Sequence, residues 1–198
     1  SHLRSSQTIR TLALYLCVNN LAREGARALA LLQGAIRLTA LTLTLGGNSL
    51  QAGGSRPLAA FSLSWALETL TLDLRHNHLT LEDTEALCAL KDAPSLRELT
   101  LNLSHNPLGE GGVRPLGCLG VSPALSNLTL HLTDTQLGEC DVQSLQDLKD
   151  APALRQLCLY LDGNGLQPGA ACGLGSLAAA PSLRQLALYL RCSRLGCA

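Results

Sequence analysis

Two histidines and one aspartate recur at equal spacing, a pattern that can bind a metal ion. His76 and His105 lie 29 positions apart, and Asp134 follows after another 29. Imidazole and carboxylate groups are common zinc ligands and sit about 2 Å from the ion. If the spacing places the three residues on neighbouring parallel strands, roughly 10 Å separates the first from the last, because adjacent strands are about 4.8 Å apart. One ion cannot then bind all three, so the pattern predicts exposed loop residues, with a two-histidine site as the alternative.

The sequence offers few groups for nucleophilic catalysis or phosphate binding. His131 and Asp162 could serve as a base and its orienting carboxylate, yet no serine or cysteine is evidently placed beside them as the nucleophile. No glycine-rich loop leads into the Lys-Ser or Lys-Thr pair that a phosphate-binding loop requires. We therefore predict a protein that is not an enzyme and that binds no cofactor and no metal.

The elements that position these residues follow an internal repeat with a constant spacing. Seven anchors open the copies, which we number repeats 1 to 7: Ile9, Leu38, Leu67, Leu96, Leu125, Leu154 and Leu183. Leucine stands three, five, seven and twelve positions after every anchor, as in Leu99, Leu101, Leu103 and Leu108. Ten positions after the anchors stand Asn19, Asn48, Asn77, Asn106, Thr135, Asn164 and Ser193. A fixed period indicates stacked units within one domain spanning residues 1–198.

Each copy predicts a strand followed by an outer segment. Alternation places Leu99, Leu101 and Leu103 on one face of a strand and leaves the opposite face free. Stacked in parallel, such strands bury a continuous leucine interior, and the asparagine amides are expected to bond to adjoining backbone as a ladder. Early acidic residues and a late lysine predict a short helix in 81–94 and in its counterpart of repeat 5. Glycine and proline predict feebler outer segments in repeats 2, 4 and 6.

The phrase L-x-x-L-x-L-x-L-x-x-N-x-L resembles the leucine-rich repeat, and the period resembles that of its ribonuclease-inhibitor-like class. The resemblance covers Ile9 to Leu195. It implies an α/β solenoid shaped like a horseshoe, with a concave parallel sheet of about seven strands and short outer helices. The phrase here holds one additional L-x pair before the asparagine, similar to repeats of large protist proteins. We therefore expect each strand to be about two residues longer than usual.

The resemblance implies a scaffold that binds a protein partner, because members of this class typically bind proteins. The repeats differ most on the free face of the sheet, where tyrosine and arginine are residue types that anchor interfaces. The candidate binding residues are Tyr15, Asp73, Arg75, Asn102, His131, Tyr160, Asp162, Tyr189 and Arg191. Some relatives act on small GTPases, and under that alternative Arg75 is the candidate catalytic residue. A structural subunit of a large assembly is the third interpretation, because neither end carries a polar cap and both are expected to be covered by a neighbour or by missing sequence.

Composition narrows the choice of partner and compartment. The formal net charge is +0, which argues against nucleic acid and against electrostatic attachment to an acidic membrane. The longest apolar run, LALYLCV, is too short to span a bilayer. The chain contains no methionine, so we expect its native amino terminus to be absent from this sequence.

The eight cysteines occupy different positions of the repeat and form no C-x-x-C pair. We therefore expect reduced thiols and an intracellular protein, with one disulfide near Cys192 and Cys197 as the alternative. The triplets that begin at Asn102 and Asn127 match the glycosylation signal. Both fall within predicted strands, where the repeated phrase itself accounts for them.

Overall fold

The computed structural model describes residues 6–191, which form an α/β fold with a single open sheet of seven parallel strands. The strands lie in chain order and are β1 Thr11–Tyr15, β2 Ala40–Thr44, β3 Thr69–Asp73, β4 Glu98–Asn102, β5 Asn127–His131, β6 Gln156–Tyr160 and β7 Gln185–Tyr189. Each residue pairs with its counterpart one repeat later, as Leu12 does with Leu41 and Leu70 does with Leu99. The common register confirms the predicted parallel pairing of equivalent positions.

Hydrogen bonding between neighbouring repeats continues beyond the carboxyl end of each strand. The N–H of Leu16 donates to the carbonyl of Thr44 at 2.8 Å, and the N–H of Val18 donates to the carbonyl of Gly46 at 2.9 Å. The bond from Leu45 to the carbonyl of Asp73, at 2.7 Å, repeats this arrangement in the next pair. The additional L-x pair of each repeat therefore belongs to the paired region of the chain.

Leucine fills the interior between the sheet and the outer segments. In repeats 2 to 6 the leucines three, five and seven positions after the anchor are at most 2% exposed. The outer segments add further apolar side chains to the same cluster, such as Leu58 and Phe61 in repeat 2. Burial of one such side chain contributes roughly 1.5–3 kcal/mol, so this interior is the dominant stabilising term. Leu12 and Leu186 are only partly buried, because β1 and β7 are the edge strands of the described sheet.

The outer segments are of two kinds: an α-helix followed by a 3-10 helix, or a 3-10 helix alone. The α-helices are α1 Ala22–Ala30, α2 Leu81–Leu87, α3 Glu139–Gln146 and α4 Pro168–Gly175. The 3-10 segments are Leu31–Gly34, Arg56–Leu63, Cys88–Asp92, Arg114–Val121, Asp147–Asp150 and Ser176–Ala179. Repeats 2 and 4 thus contain 3-10 helix alone, as their glycine and proline residues predict. None of the helices in residues 6–191 has the length and apolar character needed to cross a membrane.

Repeat 6 departs from the prediction of a feeble outer segment, because α4 is an eight-residue α-helix. The difference lies in one backbone position. Gly53 and Gly111 adopt left-handed φ angles of +69° and +82°, which no α-helix accommodates. Gly169, the equivalent residue of repeat 6, lies inside α4 and does not have a left-handed φ angle. The chain can therefore continue as a helix there.

The asparagines ten positions after the anchors form the expected ladder. The side-chain oxygen of Asn77 accepts the backbone N–H groups of Asn48 at 2.8 Å and Leu50 at 3.4 Å. Its amide nitrogen donates to the carbonyls of Leu45 and Leu74 at 2.9 and 3.0 Å. Equivalent bonds are made by Asn48, Asn106 and Asn164. Each amide therefore joins two consecutive repeats and satisfies backbone groups that would otherwise be buried without a partner.

Two fully buried aspartates couple the repeats in pairs, an arrangement that sequence analysis did not identify. The carboxylate of Asp83 in α2 accepts the N–H groups of Gly53, Ser55 and Thr80 at 2.8–3.0 Å, as well as the Ser55 hydroxyl. Asp141 in α3 accepts equivalent bonds from Gly111, Val113, Arg114 and Gly138. A helix of one repeat thus holds the glycine turn of the repeat before it.

The expectation that the thiols are reduced is wrong for one pair. Cys88 and Cys118 form a disulfide between the outer segments of repeats 3 and 4, with Cα atoms 6.2 Å apart. Cys17, Cys140, Cys158 and Cys172 are free. The alternative pair, Cys192 and Cys197, lies outside the described residues. Disulfides persist in oxidising compartments. The expectation of an intracellular location was based on reduced thiols, so this disulfide removes its support.

Candidate functional site

The exposed face of the sheet carries all strand positions predicted to bind a partner. Side chains alternate between the two faces of a strand, so leucines point to the interior and the intervening residues point outward. Accordingly, the strands of repeats 2, 3 and 5 alternate half-exposed and buried residues along their length. We call this outward surface, over β1 to β7 and the two residues that follow each strand, the sheet face.

Three aromatic rings stack on the sheet face. The ring centroids of His131 and Tyr160 lie 4.1 Å apart with planes 7° from parallel, and those of Tyr160 and Tyr189 lie 4.2 Å apart with planes 5° from parallel. The stack arises because the three residues are direct partners in the parallel register of β5, β6 and β7. Since each ring covers the next, the central ring presents its edge and hydroxyl outward. Tyr189, at the end of the stack, is 38% exposed.

The hydroxyl of Tyr160 is held in its protonated form. The proximity of the Cys158 side chain, followed by loss of solvent and by the proximity of Tyr189, raises the pKa of Tyr160 to about 12. A phenol with this pKa remains a hydrogen-bond donor at every physiological pH. The centre of the stack can therefore donate to an acceptor on a partner.

His131 is less readily protonated than an ordinary histidine. Burial lowers its pKa from 6.5, and this effect exceeds the opposing attraction of Asp73. Burial disfavours the charged form because an imidazolium loses hydration there. His131 is therefore neutral near pH 7, which lets it stack on Tyr160 without bringing a cation to the centre of the sheet face.

Asp73 and Arg75 form a separate pair on the sheet face. The guanidinium Nε of Arg75 lies 3.3 Å from the carboxylate of Asp73. The Arg75 side chain extends sideways over Gly46 of the preceding repeat, where a Cβ atom would stand 3.1 Å from Cγ of Arg75. Glycine at position 46 thus makes room for the arginine. This cation is paired and lies along the sheet, a geometry that lends no additional support to the predicted catalytic alternative.

Among the remaining predicted residues, Asn102 and Asp162 bond to backbone groups, whereas Tyr15 has no aromatic neighbour in the described chain. Asn102 accepts the N–H of Ser104 at 3.1 Å, and the Asp162 carboxylate accepts the N–H of Arg191. The Asn102 side chain therefore stabilises the chain that leaves β4, and the Asp162 side chain stabilises the chain that leaves β7. Tyr15 is 76% exposed on β1, and its partner on β2 is Thr44, so it has no ring to stack on. The nine predicted residues thus form one aromatic stack, one ion pair and several separate positions.

The histidines with metal-ligand spacing form a stack of their own. The rings of His76 and His105 lie 4.3 Å apart with planes 4° from parallel, and Nδ1 of His105 lies 3.3 Å from the carboxylate of Asp134. Parallel stacked rings direct their nitrogen lone pairs side by side, whereas chelation requires lone pairs that converge. Within residues 6–191, no three His, Cys, Asp or Glu side chains form a group that could hold a metal ion.

Sequence analysis missed a second exposed surface, which lies where the chain enters each strand. Two positions before the anchors stand Ile36, Trp65, Pro94, Pro123, Pro152 and Pro181, all of them exposed. Directly after an anchor stand Arg10, Arg97, Arg155 and Arg184, and directly before one stands Arg37; all five are exposed. We call these two rows the rim. The signal was present in the sequence, since the first row is apolar in repeats 2 to 7 although the fold leaves it uncovered.

The outer side carries two adjoining cavities over repeat 4. Their volumes are about 550 and 630 Å³, and both are lined by Arg114 and Cys118. They arise because the 3-10 segment of repeat 4, which contains Gly117 and Gly120, lies between the outer helical segments of repeats 3 and 5. The larger cavity also holds Cys140, a free thiol near the disulfide.

No family model matches this chain, and a search of curated proteins finds no match either. A functional assignment therefore rests on the chemistry of the sheet face and on the resemblance of the repeated phrase.

Proposed function

We propose that this chain is a leucine-rich repeat solenoid of the ribonuclease-inhibitor-like class, and that its sheet face binds a protein partner without catalysing a reaction. The observation that carries the proposal is the stack of His131, Tyr160 and Tyr189 on an exposed surface. Stacked rings are already ordered and lose little conformational freedom on binding. Tyrosine is enriched among the residues that contribute most to protein interfaces.

The orientation of the rings indicates which contacts the partner makes. Because their flat faces are largely covered by one another, a partner meets ring edges and hydroxyl groups. The Tyr160 hydroxyl is a permanent donor, and it suits acceptors such as backbone carbonyls and carboxylates, which proteins present in abundance. A sugar ring, which binds by stacking on an open aromatic face, fits this arrangement less well.

The repeated register and the asparagine ladder support assignment to the leucine-rich repeat class. In a solenoid each repeat contacts only its neighbours, so equivalent residues should bond to equivalent residues throughout. The asparagine side chains meet this requirement in repeats 2, 3, 4 and 6. Thr135 replaces the asparagine in repeat 5, where its hydroxyl donates to the carbonyl of Leu132 at 2.8 Å.

Affinity purification from the native source, with three forms of the protein as bait, tests the proposal. We expect a partner to co-elute with the wild type and with Tyr15→Ala, and to be lost with the double variant Tyr160→Ala, Tyr189→Ala. Tyr15→Ala is the matched control, because it removes an exposed tyrosine that lies outside the stack. Circular dichroism shows whether the double variant remains folded. An equal yield of partner with a folded double variant would overturn the proposal and favour a structural subunit that binds through its outer side.

A further inference from the structure

The rim exposes two large apolar side chains to solvent. Trp65 is 81% exposed and Ile36 is 66% exposed, and Leu63, two positions before Trp65 in the sequence, is 65% exposed. Trp65 and Ile36 occupy equivalent positions of consecutive repeats, so they lie next to each other along the rim. A cluster of exposed apolar residues that includes a tryptophan is typical of an interaction site, since tryptophan is the residue type most enriched in interface hot spots.

The rim also concentrates positive charge, which Glu68 offsets only in part. None of its five arginines takes part in an ion pair within residues 6–191, whereas Arg27, Arg56 and Arg75 each lie near a carboxylate. The formal net charge of the chain is +0, so the balancing acidic residues lie elsewhere. Glu68 is the acidic residue in the arginine row, one position after its anchor. The rim therefore presents a local excess of cations within a neutral molecule.

The backbone of the rim is held in place before any partner binds. The hydroxyl of Ser95 donates to the carbonyl of Trp65 at 2.7 Å, and that of Ser182 donates to the carbonyl of Ala151 at 2.6 Å. The prolines fix φ, which further restricts these loops. A cavity of about 280 Å³ lies between Pro94, Arg97 and Pro123. Preorganised loops lose little entropy on binding, so a short segment of polypeptide can bind here with useful affinity.

From these observations we propose that the rim binds an acidic segment of a protein partner, on a surface separate from the sheet face. Carboxylates of the segment pair with the guanidinium groups, which suit bidentate contacts, and an apolar side chain packs against Trp65 and Ile36. An anionic membrane fits less well, because Glu68 in the rim and Glu98, exposed next to Arg97, would face its negative plane. A protein segment can place its own charges around them.

The fluorescence of Trp65 tests this inference, since the chain contains one tryptophan. The probe is a short synthetic peptide of alternating glutamate and leucine, and the reference is the same peptide with lysine in place of glutamate. We expect the glutamate peptide alone to shift Trp65 emission to shorter wavelength, and its affinity to fall with added salt. The double variant Arg37→Glu, Arg97→Glu should bind about tenfold more weakly or worse, because it reverses the charges that flank Trp65.

The matched control is Arg27→Glu with Arg114→Glu, which makes the same change of charge on the outer side and should bind as the wild type does. Equal binding of both peptides, or unchanged affinity in a folded rim variant, would overturn the inference. A shift produced by phosphatidylserine vesicles but not by the peptide would assign the rim to a membrane surface instead. A shift that depends on protein concentration alone would assign it to a second copy of this chain.

Discussion

The side-chain oxygen of Asn77 accepts a hydrogen bond from the backbone nitrogen of Asn48, its counterpart in the preceding repeat, at 2.8 Å. The same amide donates to carbonyls of both repeats, so a single side chain joins two turns of the chain. We predict that Asn77→Ala lowers the free energy of unfolding by on the order of 3 kcal/mol, because several buried backbone groups lose their partner. Urea denaturation measures the change.

Asn77→Thr is the control for this prediction, because threonine already occupies the equivalent position 135 and donates to a carbonyl of its own repeat. It should retain more stability than Asn77→Ala. Equal losses in the two variants would show that the ladder bonds contribute little beyond side-chain size.

The buried aspartates provide a second test. Asp83→Asn places an amide N–H₂ among donors, so at least one bond to Gly53, Ser55 or Thr80 is lost. We expect a loss of about 2–3 kcal/mol in the free energy of unfolding. Glu82→Gln changes an exposed neighbour on the same helix and should alter stability by less than about 0.5 kcal/mol. Similar values for the two variants would contradict the coupling of repeats 2 and 3.

The Cys88–Cys118 disulfide closes a loop with a sequence separation of 30. Restricting the unfolded chain by a loop of this size contributes about 3–4 kcal/mol in the chain-entropy model. The double variant Cys88→Ser, Cys118→Ser should be destabilised by a similar amount, and dithiothreitol should destabilise the wild type but not this variant. Peptide mapping by mass spectrometry identifies the bond. Cys140→Ser, which removes a free thiol near the disulfide, should leave both results unchanged.

The pKa of His131 predicts a dependence of stability on pH. Its pKa is lowered in the folded protein and is 6.5 in the unfolded chain, so the unfolded state binds the proton first as pH falls. The contribution of His131 to stability is therefore complete above pH 6.5 and declines as pH falls from there towards the folded pKa. His131→Phe keeps a ring in the stack and should remove this part of the slope between pH 7.5 and pH 5. The exposed His78→Gln should retain it.

The stack predicts a graded loss of binding once the partner is in hand. Tyr160→Ala should weaken binding by roughly 30-fold, the effect typical of a hot-spot residue. Tyr160→Phe keeps the ring and removes the donor, so its loss should be smaller, about the value of one hydrogen bond. Isothermal titration calorimetry measures both. Equal losses would indicate that the ring contributes nothing beyond its hydroxyl.

The strand register and the buried leucines could be predicted from the sequence. Alternation along each strand fixes the face on which a side chain lies, and the constant repeat spacing fixes which residues pair between strands. Leu99, Leu101 and Leu103 had to share a face, and Tyr160 and Tyr189 had to be neighbours. Their stacking could not be predicted, because it depends on side-chain rotamers rather than on position. The sideways path of Arg75 over Gly46 has the same origin.

Contacts between residues at different positions of the repeat could not be predicted from the repeated phrase. Cys88 and Cys118 differ by one position within their repeats, yet their side chains meet. The reason is that repeat 3 begins its outer segment as an α-helix and repeat 4 uses a 3-10 helix, which turns by a different angle for each residue. The role of Asp83 and Asp141 could not be predicted from the repeated phrase, because an aspartate stands at this position only in repeats 3 and 5.

The bonds that the glycine turns donate to Asp83 and Asp141 join repeats 2 and 3, and repeats 4 and 5, into pairs of a turn and a helix. Deleting or duplicating one repeat would place two helices or two glycine turns next to each other. A buried carboxylate, or the N–H groups that bond to it, would then have no hydrogen-bond partner. Lengthening or shortening by a helix-and-turn couple keeps each buried carboxylate together with its donors. Evolution and protein engineering should therefore change the reach of this surface in steps of two.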